Sequence, residues 1–161
     1  MNYYYCYKTP DGFDDIVLSS DGKYLTGLTF IDSKTDEVHN SESAEYFKET
    51  LRYLDLYFNR QIPNFIPAYR IEKLTAFQKE VYAILNNVPY GETISYGQIA
   101  GTIAEKRGIA KMSAQAVGNA LNRNPICIIL PCHRVIGSDG SLVGYGGGLK
   151  NKQALLELER H

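Results

Sequence analysis

Pro131-Cys132-His133-Arg134-Val135 sets a thiol, an imidazole and a guanidinium in three consecutive positions behind a proline. Only the thiolate is a nucleophile, and a neighbouring cation lowers a thiol pKa from its free value of about 8.5. The chemistry such a run can do is therefore attack by sulfur, with Cys132 as nucleophile and His133 as base. Side chains adjacent in sequence rarely face each other, so His133 is expected to take the proton through a bridging water. A third group must orient the imidazole. Glu159 is a distant candidate, and a solvated carboxylate at a helix end is its plainer reading. Cys6 lies in a tyrosine-rich run and Cys127 in the apolar run Ile126 to Leu130, where thiols usually behave as small core hydrophobes, so both are assigned to structure. His39 and His161 read as surface residues. Three cysteines without C-x-x-C pairing argue against a disulfide framework and a paired-cysteine zinc site, and leave at least one thiol free.

The elements that must position Cys132 read as follows. Tyr3 to Lys8, Ile16 to Ser20 and Leu25 to Ile31 are short β-prone runs separated by Pro10-Asp11-Gly12 and Asp21-Gly22, a pattern that predicts a small antiparallel sheet. A polar segment, Asp32 to Ser43, precedes a helix on which Phe47, Leu51, Leu54 and Phe58 recur at helical spacing and pack on the sheet. Pro63 and Pro67 bracket an extended connector, giving domains at residues 1–70 and 71–161. Thr75 to Gln78 is a capping box for a helix with Phe77, Val81, Ile84 and Val88 on one face. Ser95 to Gln98 caps a second helix through Ala104, and Ser113 a third running to about Leu121. This pair, joined by a glycine-containing turn, resembles a helix-turn-helix. The third helix is rich in small residues, Ala114, Ala116, Gly118 and Ala120, which let a helix or a nucleic-acid groove approach closely. Ile126 to Leu130 reads as a strand, and Leu149 to Glu159 as the last helix.

A chain of 161 residues with 44% hydrophobic and 22% charged residues has the composition of a globular protein of one or two small domains. It shows no secretory signal and no apolar run of the ~20 residues a membrane span needs, so a cytoplasmic protein is expected. The net charge of −1 hides an asymmetry: residues 1–70 carry 7 Lys+Arg against 11 Asp+Glu, residues 71–161 carry 10 against 7. Between 106 and 152 seven basic residues face Asp139 alone, which favours either a polyanion or an ordinary solvated face.

From about Leu74 to Glu159 these residues resemble the O6-alkylguanine-DNA alkyltransferase (methylated-DNA–protein-cysteine methyltransferase) family. The resemblance rests on Pro131 to Val135, on Asn124-Pro125 and the Ser113-to-Asn122 helix before it, and on Tyr145-Gly146-Gly147-Gly148-Leu149 after it. Residues 1–70 match loosely, through the tyrosine-rich start and Tyr24 to Leu28. The resemblance implies an α+β protein, with a ribonuclease-H-like N-terminal unit and a winged-helix-like C-terminal domain. It implies single-turnover DNA repair, in which Cys132 keeps the alkyl group as a thioether. His133 is then the base through water, Glu159 holds its tautomer, Tyr96 offers its phenol to the departing guanine, and Asn124 buttresses the turn before the active-site strand. Val135, Tyr145, Gly146 and Gly147 would line the base pocket.

Ser113, Ala114, Gln115, Ala116, Arg123 and Arg134 would meet alkylated double-stranded DNA, whose target nucleotide must be flipped out at a cost of a few kcal/mol. Where many members carry an arginine that fills the vacated stack, this chain has Gln115. A monomer without metal or organic cofactor is implied. Two other readings stand beside it: a non-catalytic DNA-binding or damage-signalling module, although non-catalytic relatives lack the cysteine, and a cysteine hydrolase built on Cys132 and His133.

Overall fold

The computed structural model describes residues 2–31 and 44–160. The polar segment Asp32 to Ser43, with His39, and His161 lie outside them. Strands β1 (Tyr3–Tyr7), β2 (Ile16–Ser20) and β3 (Leu25–Phe30) form the expected antiparallel sheet in the order β1-β2-β3. The turn between β2 and β3 is held by Asp21, whose Oδ1 accepts from the amides of Lys23 (2.9 Å) and Tyr24 (2.7 Å), while Gly22 takes a φ of +99°. After a 3-10 turn (Ala44–Phe47), helix α1 (Lys48–Phe58) lies on the sheet and buries Leu54, Tyr57 and Phe58, with Phe47 against Tyr5 and Phe58 stacked on Tyr7. Leu54 is fully enclosed. Its burial contributes roughly 2 kcal/mol, and Leu54→Ala would cost about 2–5 kcal/mol with the cavity it leaves.

The connector does more than separate two halves. Tyr69 pairs beside Leu25, with the Leu25 amide donating to the Ala68 carbonyl (3.0 Å) and the Arg70 amide to the Leu25 carbonyl (2.9 Å). Beyond it, α2 (Ala76–Leu85) and α3 (Tyr96–Arg107) each begin with a complete capping box, Thr75 with Gln78 and Ser95 with Gln98. In each box the Thr or Ser oxygen and the Gln side chain satisfy amides that the first helical turn leaves unpaired. Helix α3 runs past Ala104 to Arg107, where Gly108 adopts a left-handed φ of +66° and the Ile109 amide closes back on Ala104 (3.0 Å). Ser113 caps α4 (Ala114–Asn122), which packs across α3 as the second member of the helix-turn-helix.

The apolar run Ile126 to Leu130 does not form the expected strand. Only Ile126 bridges, beside Leu28 of β3; the chain then coils tightly, with the Leu130 amide on the Ile126 carbonyl (3.1 Å), the Ile129 amide on the Cys127 carbonyl (2.8 Å), and Ile128 at a φ of +69°. A short apolar run says only that a segment is buried, and here a buried turn satisfies its own backbone groups. A second two-stranded sheet pairs β4 (Ile94–Ser95) in parallel with β5 (Val135–Ile136), and α5 (Leu149–Glu159) closes the molecule. One buried core runs from Ile16 and Leu28 through Val81, Ile103 and Val117 to Leu155. No helix is long and apolar enough to cross a membrane among the described residues.

Candidate active site

Asn124, the first residue beyond the α4 cap, organises the turn that presents the nucleophile. Its Oδ1 accepts from the Ile126 amide (2.9 Å), and its Nδ2 donates to the Leu130 carbonyl (3.0 Å) and to Cys132 Sγ (3.1 Å). Pro131 (φ −80°, ψ 60°) then makes an inverse γ-turn, closed by the Cys132 amide on the Leu130 carbonyl (2.7 Å). Cys132 opens a 3-10 turn through Arg134 that leads into β5. Because β5 pairs with β4, and β4 runs straight into α3, Tyr96 is carried to the same end of the molecule.

Cys132 is buried, yet its thiol lies below the ordinary thiol range. A hydrogen bond from the Cys127 thiol lowers it most, and burial opposes that; the Asn124 amide and the charge of Lys152 add to the lowering. His133 is fully enclosed, and burial lowers its pKa, so the imidazole is neutral at pH 7. Its Nε2 lies 2.5 Å from Glu159 Oε2. Burial alone would push the Glu159 carboxyl up, but His133 and Arg134 hold it well below the usual carboxylate range. An ionised carboxylate only accepts, so the single proton of the neutral ring sits on Nε2 and Nδ1 is left as the basic nitrogen. That Nδ1 is buried without a hydrogen-bond partner among the described residues.

Glu159 is therefore no solvated helix end. Its oxygens also accept from Tyr57 Oη (2.6 Å), the Gly91 amide (3.2 Å) and Arg134 Nε (2.7 Å). Arg134, expected at the DNA, is instead turned inward, with Nη1 on the Val88 carbonyl (2.8 Å) and 8% of the residue exposed. The reason is electrostatic: a buried carboxylate needs a cation, and Arg134 supplies it. Lys152, counted in the basic stretch, is likewise enclosed and donates to the carbonyls of Val143 (3.1 Å) and Gly144 (3.3 Å). With Arg107 paired to Glu80 and Lys150 to Asp14, the exposed basic face is smaller than composition implies.

Ser113, Ala114, Gln115 and Arg123 are exposed along α4, and Ala116 is half-buried. Beside them opens a cavity of about 420 Å³, lined by Tyr96, Gln115, Gly118, Asn122, Val143 and Gly144 among others. Tyr96 Oη donates to the Val143 carbonyl (2.8 Å), and burial raises its pKa, so the phenol keeps its proton at neutral pH. Val135, Tyr145, Gly146 and Gly147, the residues expected to line a base pocket, stand outside this lining. Val135 is in the core, and Gly147 is glycine because a Cβ there would come within 2.8 Å of the Tyr145 ring and 2.9 Å of Phe30. Sequence reasoning did not single out Asn122, Val143 and Gly144, which carry no chemistry of their own. Among the described residues no group of three or more His, Cys, Asp or Glu could hold a metal ion.

A helix-turn-helix with a cavity beside its second helix, together with a buried thiol lowered below its usual range and followed by an imidazole held on a carboxylate, defines a class of DNA-directed sulfur nucleophiles. The chain belongs to the O6-methylguanine DNA methyltransferase family, whose DNA-binding domain matches residues 76–161 and whose ribonuclease-like domain matches residues 2–66. It is 42% identical over 160 residues to a methylated-DNA–protein-cysteine methyltransferase of Methanosarcina acetivorans, covering 98% of this chain and 97% of that protein. A protein of the same name from Mycobacterium leprae is 41% identical over 160 residues, with 98% and 93% covered. The crystal structure of Mycobacterium tuberculosis O6-methylguanine methyltransferase superposes with a TM-score of 0.81 at 38% identity, covering 99% of this chain and 93% of that one. The OGT of that organism in complex with DNA gives 0.77 at 38% identity, with 99% and 92% covered.

Proposed function

We propose that this chain repairs alkylated DNA by taking the alkyl group from O6 of guanine onto Cys132, once per molecule. The observation that carries the reading is the Cys132, His133 and Glu159 arrangement: a thiol lowered below its usual range beside a neutral, enclosed imidazole whose tautomer a carboxylate fixes. A water bridging Nδ1 of His133 to the thiol completes the path by which the proton leaves sulfur. The thiolate attacks the alkyl carbon, a C–S bond forms, the C–O bond breaks, and its electron pair passes to the guanine ring. The protonated Tyr96 phenol gives up its bond to the Val143 carbonyl and supports that negative charge. The thioether is stable, so the protein does not turn over.

The substrate base reaches the cavity by leaving the duplex, with the exposed side of α4 against the DNA and Gln115 at the space left in the stack. The protein works as a monomer on double-stranded DNA, in the cytoplasm, where thiols stay reduced. O4 of alkylthymine offers the same leaving-group chemistry. Incubation with an O6-methylguanine oligonucleotide and intact-mass measurement tests the reading. One added methyl per chain, mapped to Cys132 and absent from Cys132→Ser, is expected. A protein that binds the oligonucleotide unmodified is a damage-signalling module, and one that instead turns over small thioesters is a hydrolase.

A further inference from the structure

Tyr57 stands on α1, in the ribonuclease-like domain, yet its hydroxyl ends at the carboxylate that holds the base. Its Oη donates to Glu159 Oε2 (2.6 Å), across 102 residues of sequence. The same oxygen accepts from His133 Nε2 (2.5 Å), and Arg134 Nη2 reaches it at 3.3 Å. Water has no access: Tyr57 is 1% exposed, and the side chains of His133 and Glu159 are 0% and 1% exposed. Packing aims the phenol, since its ring lies edge-on to Phe58 (5.4 Å between centroids) and to Tyr90 (5.9 Å). A phenylalanine would make the same ring contacts without burying a polar group, which is costly unless bonded. Nor does Glu159 lack partners. Its two oxygens offer about four lone pairs, and His133 Nε2, the Gly91 amide and two nitrogens of Arg134 already engage them. The phenol is thus an added donor, and it lands on the oxygen that faces the base.

We propose that Tyr57 is a positioning residue for the base: by sharing Oε2 with His133 Nε2 it fixes that oxygen and limits the charge it offers to the imidazolium, so that the ring stays neutral and free to take the thiol's proton. The proposal rests on the alkyl-transfer reading for the reaction it serves, though the shared oxygen is measurable without it. When Nδ1 takes a proton the ring becomes a cation, and its Nε2–H binds Oε2 more strongly. A carboxylate oxygen that already accepts from a phenol has less to give that cation, which keeps the ring's pKa below the value an unshared oxygen would set. The phenol itself keeps its proton, because burial and the neighbouring carboxylate push it well above its usual range. Burial of the ring and the charges of Arg134 and Lys152 act on His133 in the same direction as Tyr57, and Tyr53 and Tyr90 are the other phenols that feel the carboxylate. A side chain of the ribonuclease-like domain thereby sets the strength of a base on the DNA-binding one.

The test is the NMR spectrum of His133, in protein labelled at its histidine nitrogens, for the parent, Tyr57→Phe, Tyr57→Leu and Tyr90→Phe. The chain has three histidines, and His133→Gln identifies the signals of this one. Phenylalanine keeps the ring and removes the donor. The imidazole midpoint is then expected to rise by about one pH unit, and the Nε2–H proton resonance at pH 7 to move downfield as its bond to Oε2 strengthens. Leucine also lacks the donor and should give the same shifts without the ring. Tyr90→Phe removes a neighbouring hydroxyl that bonds the Leu158 carbonyl (3.4 Å) rather than the carboxylate, and should leave both signals at the parent's. Where acid unfolding precedes titration of the ring, the Nε2–H resonance decides. An unshifted resonance in either folded donor-less variant overturns the proposal, as does an equal shift in Tyr90→Phe, which would make the response one of packing. Methyl transfer from an O6-methylguanine oligonucleotide is followed across pH, and its acid limb should move up with the midpoint. A limb that stays in place while the resonance moves also overturns the proposal, since the base would then not set the rate. If the resonance moves while the parent gains no methyl at any pH, the alkyl-transfer reading falls and the shared carboxylate stands.

Discussion

Replacing Glu159 by glutamine tests the centre of the site, because five hydrogen bonds end on two oxygens. Oε1 accepts from Arg134 Nε and the Gly91 amide, and Oε2 from His133 Nε2, Tyr57 Oη and Arg134 Nη2. An amide keeps one acceptor and turns an NH2 toward the other set of donors, while Arg134 loses its counter-charge. Breaking a buried pair from one side costs about 3–5 kcal/mol, a large share of the ~5–15 kcal/mol that holds a domain folded. With a urea slope near 2 kcal/mol/M, the unfolding midpoint of Glu159→Gln should fall by about 2 M at pH 7. The sign of the pH dependence follows from the lowered carboxyl pKa. The carboxylate's contribution is full above its ordinary value of 4.5 and is lost as pH falls through its lower folded value, so parent and variant converge in acid. A urea midpoint that stays at the parent's value at pH 7 refutes the view that this carboxylate anchors the site.

His133→Ala removes the base and should slow methyl transfer by ~10²- to 10⁴-fold while moving its pH optimum toward the free-thiol pKa; an unchanged pH-rate profile removes His133 from the mechanism. Gln115→Ala should slow repair of duplex more than of single strands, and Gln115→Arg should steepen the salt dependence of duplex binding by roughly one unit of log–log slope. Equal effects on both substrates would make Gln115 a bystander. Enclosed neutral His133 lets the unfolded chain bind a proton that the folded chain refuses, so stability should decline as pH falls from 6.5 toward the lowered folded value, and urea titrations of His133→Gln should lack that decline. Ile128→Gly relieves positive-φ strain, so its urea unfolding should show about 1–2 kcal/mol less destabilisation than Ile129→Gly, and equal losses would mean the turn is unstrained.

Local chemistry made much of this molecule legible. The Thr75/Gln78 and Ser95/Gln98 boxes announce their helices because cap and partner are three residues apart, and Asp21-Gly22 announces its hairpin in the same way. Long-range pairing is where sequence reasoning ran short. Arg134 meets Glu159 from 25 residues away, so nothing in the Cys-His-Arg run reveals that its cation faces inward. Ile126 to Leu130 carries the composition of a strand, and only the Asn124 brackets and the Leu28 pairing make it a turn. Glu159 as partner of His133 came from the family resemblance, since a helix-end glutamate by itself is ordinarily solvated.

Strand β3 is hydrogen-bonded along one stretch to the connector, through Leu25, and along another to the turn before the nucleophile, through Leu28 to Pro125 and Cys127. The N-terminal sheet thus serves as a splint for a loop that lies a hundred residues downstream. Severing the chain at the connector would not release a self-sufficient repair module; it would strip two backbone hydrogen bonds from the cysteine turn and bare the part of the core, beside Ile126, that Leu28 covers. Gene fusions and truncations that keep the DNA-facing half must therefore also keep the strand that braces it, and the termini or the exposed turns are where new sequence can be joined.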